Sequence, residues 1–125
     1  VAKVSGITTT ITVAGNNISN DVTSFTLNTP TGVQDVTGVD KSGVERLALL
    51  KDTSGTLTGA FNTAATMSHA TFKTPGVKTF VIALPGATAT FSAVTTDYAL
   101  TRGQDGSLSW SVPFEMSDGV VVAWT

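Results

Sequence analysis

The stretch DKSGVERLALLK, residues 40–51, decides how the chain is read, because it carries the spacing of a helix in a sequence otherwise patterned as strand. Val44, Leu47, Ala48 and Leu50 fall at the i, i+3, i+4 intervals of one stripe, and Lys41, Glu45 and Lys51 lie mostly to the other side. Ser42 with Glu45 three residues on matches a capping box, and Asp40 is a competing N-cap, so the start is open by about two residues. A helix of this length does not stand alone in water. The spacing therefore predicts a short helix over about residues 41–51, with Val44, Leu47, Ala48 and Leu50 as its core face against a sheet. On that reading Leu47→Ala costs roughly 2–5 kcal/mol, as for other buried leucines.

Strands surround this element on both sides. Before it, residues 7–13 (ITTTITV) alternate Ile7, Thr9, Ile11 and Val13 with threonines, and residues 21–28 (DVTSFTLN) form a second run stopped by Pro30. Residues 33–37 are a short extended lead into the helix. After it, residues 56–61 (TLTGAF) read as a strand with Leu57 and Phe61 inward. Residues 62–76 alternate weakly and end in Pro75-Gly76, which predicts a long loop leaving the core. Residues 77–84 (VKTFVIAL) are the most apolar strand. Pro85-Gly86 then turns the chain into an antiparallel return over residues 87–98. In residues 107–116, Leu108, Trp110, Val112, Phe114 and Met116 alternate with polar positions. Pro113 on the polar side argues for an edge strand or a bulge. Residues 120–124 close the pattern. The whole predicts a single domain over residues 1–125, mainly β: a small antiparallel barrel or sandwich of about seven strands flanked by the short helix.

The composition narrows the function classes. Charged residues make up 13% of the 125 residues, and the net charge is −2. Ordinary soluble domains carry roughly 25%. Threonine, serine, alanine and glycine replace lysine and glutamate, a pattern that suits burial in a permanent assembly. A rigid, threonine-rich secreted β-domain is the competing explanation. Clustered Lys and Arg, which affinity for phosphates requires, are lacking. Cysteine is absent and histidine occurs once, so disulfides, thiolate chemistry and an ordinary zinc site are not expected. No apolar run reaches the roughly 18 residues of a membrane span, and VAKVSG lacks the layout of a signal peptide. The expectation is a soluble chain without membrane insertion and not exported by a removable leader, unless one was cut off before Val1.

Candidate chemistry is sparse. His69 beside Ser68 has no third group nearby to orient a base. Asp97, Glu115 and Asp118 are candidates for a glycosidase-type carboxylate pair, but each sits at or near a turn, where carboxylates accept backbone hydrogen bonds. Trp110 and Trp124 are candidates for sugar stacking, yet Trp110 alternates with Leu108 and Val112 as a core residue does. The expectation is a protein that is not an enzyme and uses no cofactor.

Three stretches carry a resemblance: NDVTSFTL (residues 20–27), DVTGVDKSGVERLALLKDTSGTLTGAF (residues 35–61) and DGSLSWSVPFEMSDGVVVAW (residues 105–124). Their order, an early strand, a DVTG entry into one helix, a Gly-bounded strand and a closing polar-apolar hairpin, resembles that of tail tube proteins of long-tailed bacteriophages. The resemblance covers nearly the whole chain and rests on order and texture. It implies subunits joined into hexameric rings that stack into a hollow tube delivering DNA to the host; related folds serve contractile tails and type VI secretion tubes. It further implies that the partners are other copies of the chain, other phage tail proteins and, in passing, DNA. The place would be the tail of a virion made in the host bacterial cytoplasm. Many such proteins carry an added immunoglobulin-like domain, and this sequence is expected to be the bare tube module. Under this resemblance Thr8, Thr10, Thr12, Thr88, Thr90 and Ser92 are candidates for the lumen wall, and Thr66, Met67, Ser68, His69 and Lys73 for an inter-ring loop. A mildly acidic chain suits a DNA conduit, since a basic wall would hold phosphates. The alternative is a binding module, such as a capsid-decorating or adhesive domain presenting Trp124 and residues 62–76.

Overall fold

A computed structural model of the chain describes residues 3–125. Strands β1 (Thr10–Val13) and β2 (Asn16–Asn17) form a tight hairpin, followed by β3 (Val22–Asn28), β4 (Thr31–Asp35), β5 (Arg46–Lys51) and β6 (Ser54–Ala60). A short helix α1 (Ser68–Phe72) precedes β7 (Gly76–Leu84), β8 (Ala87–Thr95), β9 (Ala99–Arg102), β10 (Leu108–Met116) and β11 (Ala123–Trp124).

Nine of the strands form one antiparallel sheet in the order β2-β1-β7-β8-β10-β6-β3, with β11 paired to β8 and β9 to β10. This sheet folds over on itself as a sandwich, in agreement with the mainly β reading. Its two layers share β10. The first half of β10 pairs with β9 through Ser111, and its last residues pair with β8 from Phe114 to Met116. Val112 and Pro113 lie in the gap between those two partners while β6 runs along the other edge. Pro113 is therefore in a central strand, not at an edge. The missing amide is tolerated because no ladder bond is required of it on the gap side.

The core is built from alternate positions of these strands, which is the consequence of period-two burial. Phe80 and Ile82 of β7, Ala89, Phe91 and Ala93 of β8, Leu57 of β6, and Trp110, Val112 and Phe114 of β10 are buried, with Ile11 and Val13 of β1 closing one side. Phe80, Phe91 and Phe114 meet where the two layers join, their ring centroids 4.8 to 5.5 Å apart. Such aromatic contacts are worth about 0.5–1.5 kcal/mol each beyond their buried area.

Two further expectations are overturned. Residues 46–51 are a strand, not part of a helix, and Val44, Leu47, Ala48 and Leu50 form no core face: all are exposed, Leu50 by 92%. The physical reason is that β4 supplies an antiparallel partner, with Val33 opposite Ala48, Gln34 opposite Leu47 and Asp35 opposite Arg46. Gly43 also opposes a helix, costing about 1 kcal/mol relative to Ala in its interior. The helix of the fold instead lies in residues 68–72, inside the segment expected to be a loop leaving the core.

Candidate assembly surfaces

Two surfaces and one buried cluster gather the residues singled out by sequence. The first surface is the β4–β5 hairpin, a two-stranded sheet separate from the sandwich. Its ten-residue connection, residues 36–45, is closed by Thr37 and not by a Gly-containing tight turn. The Thr37 hydroxyl donates to Asp35 Oδ1 at 2.6 Å and accepts from the Glu45 amide at 2.7 Å, while the Val36 amide donates to the Glu45 carbonyl at 2.9 Å. The Thr37 amide also donates to Asp35 Oδ1, and these two bonds hold the Asp35 carboxyl below its ordinary pKa. Beyond this clasp the hairpin is apolar on both faces. Leu47 and Leu49 occupy one side and Val33, Ala48 and Leu50 the other, and Val39 and Val44 lie in the connection. An isolated two-stranded hairpin is marginal in water. Exposed leucines on both of its faces are what an unpartnered contact surface looks like.

The second surface is the outer face of β1, β7 and β8. Register places Thr10, Ala83 and Thr88 in one row and Thr12, Val81 and Thr90 in the next, with Thr79 opposite Ser92 beyond them. Five of the six residues named as lumen candidates, Thr10, Thr12, Thr88, Thr90 and Ser92, thus share one half-buried face of short side chains. Thr8 does not join them: it lies in an exposed turn before β1, closed by the Thr9 amide and hydroxyl donating to the Gly6 carbonyl.

The buried cluster surrounds α1. Asp21, 4% exposed, accepts from the Ser68 amide through Oδ2 and from Asn62 Nδ2 through Oδ1, both at 3.0 Å. A carboxylate 47 residues away in sequence thereby caps the first turn of the helix. Ser68 and Phe72 are buried, and Phe72 packs on Trp110 with centroids 5.1 Å apart. His69 stands between Phe61 and Tyr98, its Nδ1 3.2 Å from the Tyr98 hydroxyl. Burial, together with the charge of Asp21, raises the Tyr98 pKa. Of the inter-ring candidates, Ser68 is buried in the core and His69 is half-buried among rings, whereas Thr66 and Lys73 are exposed and Met67 is half-buried. The segment does not leave the core, because Phe72 and Asp21 tie it down.

The residues considered for chemistry do not converge. The Ser68 hydroxyl faces the Ala60 carbonyl at 3.5 Å, the Asp118 carboxylate accepts from the Val120 amide of its own loop, and Glu115 lies on β10 opposite Val94. Trp110 is 1% exposed and Trp124 52%. A groove of about 320 Å³ between the turn at Gly6 and β3 is lined by Ile7, Ile11, Val22 and Phe25 among others, with no titratable side chain. Among the described residues no group of three or more His, Cys, Asp or Glu is placed to hold a metal ion, and no helix is long and apolar enough to cross a membrane.

Comparison with known proteins gives no match to a family model and none to a curated protein sequence. Solved structures do match. A chain in the tail of an empty gene transfer agent particle, refined helically with C6 symmetry, is 18% identical and superposes with a TM-score of 0.69 over 84% of this chain and 82% of that one. A chain in the virion of a native gene transfer agent particle is 16% identical, with a TM-score of 0.77 over 98% of this chain and 99% of that one. The chain therefore shares its fold with a chain from the tail of a gene transfer agent particle over 84% of its length, and with a chain from the virion of such a particle over 98%.

Proposed function

We propose that this chain is a non-enzymatic structural subunit of a phage-type virion tail, and that copies of it join into rings, six to a ring, which stack into a hollow tube. The observation that carries this reading is the β4–β5 hairpin. A domain with the fold of a chain from a gene transfer agent tail holds out a separate two-stranded sheet with exposed leucines on both faces, which a monomer has no reason to keep in water. A second copy of the chain is the partner that a homopolymer supplies. Heterologous contacts that close make rings, and a low-charge surface suits a subunit covered on its flanks. DNA passes through the tube, and the threonine-rich face of β1, β7 and β8 lines its wall. Its short hydroxyl side chains neither grip phosphates nor stack on bases. The contacts are with other copies and with the tail proteins at the two ends of the tube, in a virion tail assembled inside the host bacterial cell.

Negative-stain microscopy of the purified protein tests this directly. Rings or tubes with a central channel are expected. Discrete small globules at high protein concentration would favour a monomeric binding module, such as a capsid-decorating domain that presents Trp124.

A further inference from the structure

Strand β8 has nine residues, and its two edges are served unequally. One edge pairs with β7 along its whole length, from Ala87 opposite Leu84 to Thr95 opposite Gly76. The other is divided: β10 takes residues 93–95, and β11 covers residues 89 and 90 with two residues of its own. One reciprocal pair of bonds between Thr88 and Thr125, each 2.9 Å, extends that contact. The segment carrying β11 packs only Val122 against the core. Cavities of about 270 and 230 Å³ lie beside it, one at the root of the β4–β5 hairpin and the other over the outer face of β8. Val120, Val121 and Trp124 remain exposed by 62, 48 and 52%. The connection from β10 is Ser117-Asp118-Gly119, with Gly119 at a φ of +74°, a conformation that favours glycine and suits a hinge.

We propose that residues 120–125 exchange between copies, so that in the assembled ring β11 of each subunit lies on the β8 edge of its neighbour. The inference rests on the reading of the chain as a self-assembling subunit. The occupant is fixed by the structure itself. The β8 edge already accepts this sequence in one register, Ala123 opposite Thr90 and Trp124 opposite Ala89, so an identical segment from a second copy makes the same bonds. Exchange therefore loses no contact, which is why swapping is a low-cost route to assembly. Ala123 lies seven positions along the chain from Met116, which is fixed by β10, with six residues between them. Fully extended, that stretch spans about 23 Å, enough to reach an adjoining domain. Repeated head to tail, the exchange links each subunit to the next in one direction, as a closed ring requires.

The chain has no cysteine, so a designed pair reports without background. Thr90→Cys with Ala123→Cys places two thiols on directly opposed residues of an antiparallel pair, at a Cα separation of about 5.5 Å that a disulfide spans. Thr88→Cys with Thr125→Cys is an independent second pair. The protein is oxidised before assembly or after it, and read on non-reducing gels beside micrographs of the wild type. The expected result has two parts: oxidation before assembly gives internally bridged monomers that stay unassembled until reduced, and oxidation of assembled material gives a ladder of covalent multimers up to the ring size. Bridged monomers alone from assembled particles, with both cysteine pairs, overturn the exchange while leaving self-assembly standing. A wild-type protein that never assembles overturns the reading beneath it as well.

Discussion

The indole of Trp110 lies across Gly59, its register partner on β6, and donates from Nε1 to the Ala60 carbonyl at 2.8 Å. A Cβ at Gly59 would sit 2.7 Å from Trp110 Cζ2 and collide with the Asp21 carbonyl oxygen. Phe114 stands over Gly55 in the same way, four residues along. The two glycines of β6 thus make room for the two largest rings of β10, and α1 is packed onto the outcome through Phe72.

Gly59→Ala is expected to destabilise the subunit by about 1–3 kcal/mol, the usual cost of overpacking, because the obstructing Asp21 atom is backbone and cannot rotate away. Trp110→Phe keeps an aromatic ring but leaves the Ala60 carbonyl without its indole partner, at a cost of about 1–3 kcal/mol. Thermal melting measures both, and a Gly59→Ala protein that melts with the wild type contradicts the packing described.

Leu47→Ala and Leu50→Ser are expected to change the stability of the free subunit by no more than about 0.5 kcal/mol, since both side chains are exposed. Phe114→Ala is expected to cost about 3–5 kcal/mol. Under the proposed function the two hairpin variants instead raise the protein concentration needed for assembly, which sedimentation reads. A large fall in melting temperature for Leu47→Ala would return that residue to the core.

The Asp35 carboxyl has a folded pKa below its unfolded value because Thr37 donates to it twice. The folded hairpin then binds fewer protons than the unfolded one near that pKa. Its contribution is present above the ordinary Asp value of about 4 and is lost as pH falls through the lower folded value. Amide exchange at Thr37 and Glu45, normalised for its intrinsic pH dependence, is expected to show protection at neutral pH that fades on acidification. Asp35→Asn is expected to remove that acid step, and an unchanged step in this variant would assign it to another carboxylate.

If the face holding Thr90 lines the tube, Thr90→Lys adds a belt of positive charge at one height in each ring. Those charges act on phosphates within a Debye length of about 8 Å at physiological salt. Particles carrying the variant are expected to assemble and to release DNA more slowly, with the larger effect at low salt. Release at the wild-type rate in low salt would show either that Thr90 faces elsewhere or that wall charge does not govern passage.

Much of the sandwich was legible because the signal was local and of period two. The alternation through Leu108, Trp110, Val112 and Phe114 and the turn at Pro85-Gly86 led to β10 and to the β7–β8 pair, and the polar sides of Thr10 and Thr12 and of Thr88, Thr90 and Ser92 followed from the same alternation, although their joining into one face depended on β7 lying between β1 and β8. In each case a residue's inward or outward direction depended on its immediate neighbours and on nothing remote. Residues 40–51 could not be resolved in that way. Over so short a span Val44, Leu47 and Ala48 satisfy a helical stripe while Leu47 and Leu49 satisfy a strand, and the choice fell to β4 across a ten-residue connection closed by the Thr37 side chain. Residues 68–72 posed the opposite problem. They have little helical pattern of their own, and they are helical because Asp21, 47 positions earlier, receives the Ser68 amide and because Trp110 offers Phe72 a surface. Sequence by itself determined which faces of the long strands are apolar, since that is set residue by residue by the alternation of the pleat. Only the tertiary structure decided which short segments became helix or hairpin, because at those lengths local preference is worth less than a single long-range partner.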